Sequence, residues 1–187
     1  ERLLGLVEHF DVVLENYAPG VMDRLGVGAA VLRAVNPRLV YGGSSGFGLD
    51  GPYRDLAAMD VTIQAMSGIT NATGDADGPP TKAGAAVCDF LAGIHLCAGI
   101  LGALVQRERT GKGQRIELSM LDAAVSFLWP EAFYNHAFQD DPPPPIPEFG
   151  ASQRLWRCRD GWLALITPQD EEFAAMCRVL GLPQLIT

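Results

Sequence analysis

The stretch DFLAGIHLCAGILGALVQRERT (residues 89–110), passing through GKG (111–113) into QRIELSM (114–120), decides the fold class. Apolar side chains at Phe90, Ile94, Cys97, Leu101 and Leu104 recur at the spacing of a helix face, so Asp89–Thr110 reads as one long helix. Arg107 and Arg109 in its last turn complement the negative end of the helix dipole, and Gly111 is a normal stop signal beyond them. Gln114 to Met120 alternates between apolar and polar residues, which is the period of a strand.

Working outward, DVVLE (11–15) is a short apolar strand closed by the turn Ala18-Pro19-Gly20. Arg2–Phe10 before it reads as the end of a helix. Met22–Leu25 and Ala29–Val35 read as short helices, stopped by Asn36-Pro37. RLVYG (38–42) is a second strand leading into the glycine-rich GGSSGFGLDGP (42–52). Ala58–Ser67 reads as helix, Asn71–Pro80 as loop, and Leu121–Phe138 as helix. Strands that alternate with helices predict an α/β fold with a largely parallel sheet. At Gln139–Pro147 (QDDPPPPIP) the composition breaks, because such a run holds neither a helix nor an interior strand. The expected organisation is a large domain over 1–138, a linker over 139–147 and a second domain begun over 148–187. In that second part Arg159-Asp160-Gly161 turns a hairpin, and Asp170–Leu180 is an amphipathic helix.

The composition excludes several classes. Of the 187 residues 48% are hydrophobic and 19% charged, enough apolar material for a core and too much for a disordered chain. A net charge of −8 argues against nucleic acid, whose phosphates require clustered cations. The unbroken apolar run Leu96–Val105 is about half a bilayer span, so no membrane crossing is expected. Four cysteines without metal-ligand spacing suggest free thiols in a reducing, cytoplasmic setting. The first residue is Glu1 rather than Met, which suggests sequence upstream.

Among the motifs, Gly46, Gly48 and Gly51 satisfy G-x-G-x-x-G after a strand, but Pro52 follows directly and no continuous helix begins there. An irregular loop permitted by glycine is the better reading. His9, His95 and His136 have no ligand spacing, so no metal is assigned. Thr110–Gln114 is a helix-to-strand turn rather than a phosphate loop, and no serine-hydrolase nucleophile is assigned. Asp89 leaves two readings open. It stands where Asp caps helices well, after the small apolar run Ala83–Val87, which reads as a tightly packed strand end, and a carboxylate held ionised there is also a competent nucleophile.

The run VLENYAPGVMDRLG (13–26) resembles the VENFxPGxxxRLG signature of family III CoA-transferases. The similarity continues through Asn36–Tyr41, Ser45–Gly48, Gly51–Tyr53, Thr73-Gly74, Gly78–Pro80, Arg107–Gln114 and Leu121–Ala123, in the family's order across about 140 residues. Trp156–Trp162 looks like that family's entry into its small domain. The resemblance implies a Rossmann-like large domain, a smaller α+β domain, and an interlocked homodimer of two threaded subunits.

It also implies roles for individual residues. Asp89 matches the nucleophilic aspartate. Asn16, Tyr17 and Ala18 match the contacts to coenzyme A, Arg24 with Leu25 beside it matches the phosphate or ribose side, and Ala57, Ala58, Met59 and Asp60 match the segment near the thioester. Gly150, Ala151, Ser152 and Gln153 match the lid, with one glycine where the formyl-CoA transferases have a run. The implied reaction moves CoA from an acyl-CoA to a carboxylic acid through an aspartyl-CoA thioester, with CoA as substrate and no permanently bound cofactor. Racemases of the superfamily place a histidine where Met59 stands, so racemisation is disfavoured. A fragment that keeps the fold without turnover is the non-catalytic alternative.

Overall fold

The computed structural model describes residues 2–75, 78–138, 140, 144–146 and 154–186. They fall into two compact units, Glu1–Pro130 and Glu131–Thr187. The lid residues Gly150–Gln153 and most of Gln139–Pro147 lie outside the described residues.

The first unit is built on a parallel sheet of β1 (Val12–Glu15), β2 (Val40–Ser45) and β3 (Arg115–Ser119), in the order β1-β2-β3. Val13 pairs with Tyr41 and Tyr41 with Arg115, so the α/β reading holds. On one face α1 (Arg2–Val7) and α3 (Ala29–Val35), the latter reached from β1 through the short α2 (Val21–Arg24), enclose Val7, Leu32, Leu39 and Tyr41. On the other lies α6 (Val87–Thr110), with Ile100 and Ala103 packed against Val40. Between β2 and α6 come α4 (Asp60–Ser67) and α5 (Ile69–Ala72), and α7 (Met120–Ala132) follows β3 directly.

Small residues let α6 lie close on the sheet. A methyl group at Gly99 would come within 2.9 Å of Ile116. The stripe that marks α6 in the sequence is therefore not its buried face: Ala92, Ile100, Ala103 and Arg107 face inward, while Phe90 is 70% and Ile94 65% exposed. Both faces are apolar, which is why periodicity alone selected the larger side chains. The apolar run Leu96–Val105 lies within a helix of 24 residues. By length and composition, α6 is long and apolar enough to cross a membrane.

Other differences are local. Strand β2 runs to Ser45, three residues beyond the predicted end, because Ser44 and Ser45 pair with Leu118 and Ser119. Asn71 and Ala72 complete a helical turn rather than opening the loop. Helix α7 stops at Ala132, two residues after Pro130, and a 3₁₀ turn at Tyr134–His136 follows.

The second unit contains an antiparallel hairpin of β4 (Arg154–Arg157) and β5 (Trp162–Leu165), closed by a hydrogen bond from Cys158 N–H to the Gly161 carbonyl. The Arg157 guanidinium stacks 5.4 Å from the Trp162 ring centre. Helix α8 (Asp170–Val179) buries Ala174 and Cys177, and the Gln169 N–H donates to the Glu172 carboxylate at its start.

The turn between α6 and β3 fixes the sheet. Arg107, almost fully buried, donates to Asp11 (2.8 Å) and to the Arg38 carbonyl (3.4 Å), tying the end of α6 to the starts of β1 and β2. Gly113 donates to the Pro37 carbonyl, and its own carbonyl accepts from Arg33. A side chain at Gly113 would sit 2.0 Å from the Leu39 carbonyl oxygen. Gly113→Ala is therefore expected to cost the full-length protein about 3 kcal/mol in urea unfolding with an unchanged slope. A loss below about 1 kcal/mol would show that the turn yields freely.

Candidate active site

A cleft of about 1000 Å³ opens in the first unit where the carboxyl ends of β1 and β2 meet the amino end of α6. This is where parallel α/β sheets bind ligands, because the strands end there and the loops diverge. One wall is the turn after β1, with Asn16, Tyr17 and Ala18, together with Arg24 from α2. The opposite wall is Ala57, Ala58, Met59 and Asp60, and Asp89 projects from α6. Of the residues that the family resemblance implies, the described ones are thus brought together, with the exception of Leu25. That side chain is 65% exposed beyond α2 and does not line the cleft.

Each wall has a local cause. The Tyr17 N–H donates to the Glu15 carboxylate at 2.9 Å, which turns the chain sharply after β1. Glu15 also bonds the buried Tyr41 phenol, and burial with this carboxylate pushes the phenol above its ordinary value. Opposite, the segment carrying Met59 rests directly on the end of β2. A side chain at Gly46 would lie 2.1 Å from the Ala58 methyl, so glycine is required there for close approach.

Asp60 is the organising group. Its Oδ1 accepts from the backbone N–H of Cys88 at 2.8 Å and of Asp89 at 3.2 Å, and its Oδ2 accepts from Gln64 Nε2 at 2.5 Å. Helix α6 begins at Val87, so Asp89 is its third residue and not its cap, and the preceding Ala86 has no side chain able to cap. The capping oxygen comes instead from a different helix, 28 and 29 residues earlier in sequence. Local sequence rules look for the cap next to the helix, so this role of Asp60 was not readable from them.

The small-residue run before Asp89 is likewise not a strand. Gln64 claims its backbone, accepting from Ala83 N–H at 2.9 Å and donating to the Ala85 carbonyl at 3.1 Å. A fully buried glutamine thus replaces a strand neighbour as the partner of this segment.

Because Asp60 takes the capping role, the Asp89 carboxylate is exposed to the cleft. Partial burial and then the nearby Asp60 charge hold its pKa above the ordinary carboxylate value. The neighbouring Cys88 is different: burial, with Asp60 and Asp89 beside it, pushes its thiol up to about 11. A thiol so raised and wholly buried is inert at neutral pH.

Gly42-Gly43-Ser44-Ser45-Gly46 fits the Gly-x-Ser-x-Gly pattern of serine hydrolases. Ser44 lies within β2 rather than on a strand-to-helix elbow, and no histidine lines the cleft among the described residues. The cleft therefore presents an exposed carboxylate, Asp89, without a histidine beside it among the described residues. Among the described residues no group of three or more His, Cys, Asp or Glu side chains forms a metal site.

Comparison with known proteins accords with this arrangement. Residues 1–187 match the CoA-transferase family III profile. The chain is 41% identical to an acetyl-CoA:oxalate CoA-transferase of Acetobacter aceti, covering 98% of this chain and 48% of that protein. It is 36% identical to a succinate–glutarate CoA-transferase of Agrobacterium fabrum, over 95% of this chain and 45% of that one. A crystal structure of a CaiB/BaiF family protein from Brucella suis superposes with a TM-score of 0.78 at 33% identity, over 98% of this chain and 49% of that chain. A Mycobacterium tuberculosis protein gives a TM-score of 0.84 at 27% identity, over 99% and 49% respectively. The chain spans about half the length of the relatives it matches. It belongs to the family III CoA-transferases.

Proposed function

We propose that the full-length protein transfers CoA from an acyl-CoA thioester to a carboxylic acid acceptor, with Asp89 as the covalent nucleophile. The observation that supports this most is the exposed Asp89 carboxylate at the amino end of α6, facing a cleft that also holds Asn16, Tyr17 and Arg24. No histidine accompanies it among the described lining residues.

The chemistry balances without a proton. An Asp89 oxygen attacks the acyl carbonyl carbon and the carbon–sulfur bond breaks, leaving a mixed anhydride and the CoA thiolate. The thiolate then attacks the Asp89 carbonyl carbon, the donor acid departs as its carboxylate, and an aspartyl-CoA thioester remains. The acceptor carboxylate repeats these steps in reverse order and regenerates Asp89. No step requires a permanently bound cofactor or metal, and CoA takes part as substrate. Backbone N–H groups of the glycine-bearing loops are suited to stabilise the tetrahedral oxyanions. Arg24, with no ion-pair partner among the described residues, is suited to a CoA phosphate. Met59 lines the cleft where a racemase would need a base, and its thioether cannot exchange protons, which disfavours racemisation. The lid at Gly150–Gln153, a homodimer of interlocked subunits and residues 148–187 as the start of the small domain belong to the same reading on the family resemblance, and a cytoplasmic setting without membrane or nucleic-acid partners on the cysteine usage, apolar-run length and net charge.

Two outcomes are expected. Full-length enzyme mixed with acyl-CoA should gain a covalent adduct, removable by hydroxylamine, on the peptide carrying Asp89, and Asp89→Asn should abolish it and lower turnover by several orders of magnitude. The same variant should not lose stability at neutral pH. A pKa raised by folding means that ionised Asp89 weakens the fold as pH rises through the folded-state value, and the neutral amide removes that penalty. A capping role for Asp89 would instead give a loss of about 1 kcal/mol with turnover intact.

Asp60 supplies the second test. Adduct formation should increase as pH rises through the raised Asp89 value. Asp60→Asn removes the neighbouring charge, so the inflection should move to lower pH while the adduct still forms. Asp60→Ala should also cost about 1–2 kcal/mol by uncapping α6. An unchanged pH profile in Asp60→Asn would separate the two carboxylates electrostatically and contradict the geometry described.

A further inference from the structure

Arg54 is matched by neither the family signature nor any local motif, yet it lines the same cleft. The glycine-rich segment after β2 holds it there. Gly51 adopts a left-handed φ of 89°, its carbonyl accepts from the Arg54 N–H at 3.4 Å, and Leu56 N–H donates to the Tyr53 carbonyl at 2.9 Å. The Tyr53 ring packs 5.7 Å from that of Phe47. The loop whose glycines suggest a dinucleotide fingerprint is thus a wall that carries a cation.

The charges of the cleft make that cation significant. Its described lining holds four carboxylates, Glu15, Asp55, Asp60 and Asp89, against two cations, Arg24 and Arg54. The whole chain carries −8. Coenzyme A bears its negative charge in two separated places, a diphosphate and a 3′-phosphate, and a single guanidinium cannot serve both. An anionic nucleotide entering an acidic cleft needs a local cation at each. Arg54 is free to act as one. Its only ion-pair partner among the described residues is Asp55, which meets Nε at 3.4 Å with both side chains largely exposed. Such a pair contributes little and leaves the two terminal nitrogens for a bidentate contact.

We infer that Arg54 is a second phosphate contact for coenzyme A, complementing Arg24. This rests on the CoA-transfer reading above and adds a residue to it. The test is titration calorimetry of full-length wild type, Arg54→Gln and Arg54→Lys with CoA, 3′-dephospho-CoA and pantetheine at low salt. Arg54→Gln should weaken CoA binding about tenfold or more, Arg54→Lys should restore part of the loss, and pantetheine affinity should be the same in all three. A loss that vanishes with 3′-dephospho-CoA assigns the contact to the 3′-phosphate. One that persists there and vanishes with pantetheine assigns it to the diphosphate, and either result supports the inference. Equal CoA affinity in wild type and Arg54→Gln, or an equal loss with pantetheine, overturns it. Wild-type protein that binds none of the three ligands would defeat the CoA-transfer reading itself.

Discussion

The amino end of a helix carries backbone N–H groups with no partner inside the helix, and in α6 two of these are satisfied by a carboxylate from another element. Asp60 fixes the start of α6 against α4, and Gln64, one turn further along α4, fixes the chain leading into it. The consequence is a division of labour between two aspartates. One is consumed by structure, so the other, Asp89, keeps its oxygens available to the cleft. Partial burial, and then the like charge of Asp60 beside it, hold the Asp89 pKa above the ordinary carboxylate value.

The rest of the first unit anchors the far end of that helix. Arg107 crosses beneath β1 and β2, and Gly113 lets the following turn press against the Leu39 carbonyl. Glycines and alanines along the inner side bring α6 close to the sheet. Its larger apolar side chains, Phe90, Ile94, Leu101 and Val105, consequently point away from this unit. A helix apolar on both sides is suited to burial on both sides.

The sequence was informative about order and uninformative about reach. Alternating periods gave the three parallel strands and the long helix, because each depends on neighbours two to four residues away. The hairpin around Asp160-Gly161 was equally local. Which face of α6 is buried was not local, since it depends on how near a helix backbone can approach a sheet, and Gly42 and Gly99 decide that from opposite sides. The capping role of Asp60 was hidden for the same reason. A carboxylate almost thirty residues before a helix looks like any acidic surface residue until the fold returns it. Asp89 itself was legible as an aspartate near a helix start, but its spacing could not distinguish cap from nucleophile, and only the family resemblance favoured the second. Arg54 carried no signal, because its position follows from a loop that glycine permits rather than from any pattern in its own neighbourhood.

The central claim is that oxygen, and not only CoA, passes through Asp89. In the acceptor half-reaction the bridging oxygen of the anhydride comes from the acceptor carboxylate and remains on the aspartate when the thiolate takes the acyl group. Full-length enzyme turning over with a heavy-oxygen-labelled carboxylic acid acceptor should therefore yield a peptide containing Asp89 that has gained label on its side-chain carboxylate, readable by mass spectrometry. Turnover that forms labelled acyl-CoA while the Asp89 peptide stays unlabelled would contradict the account.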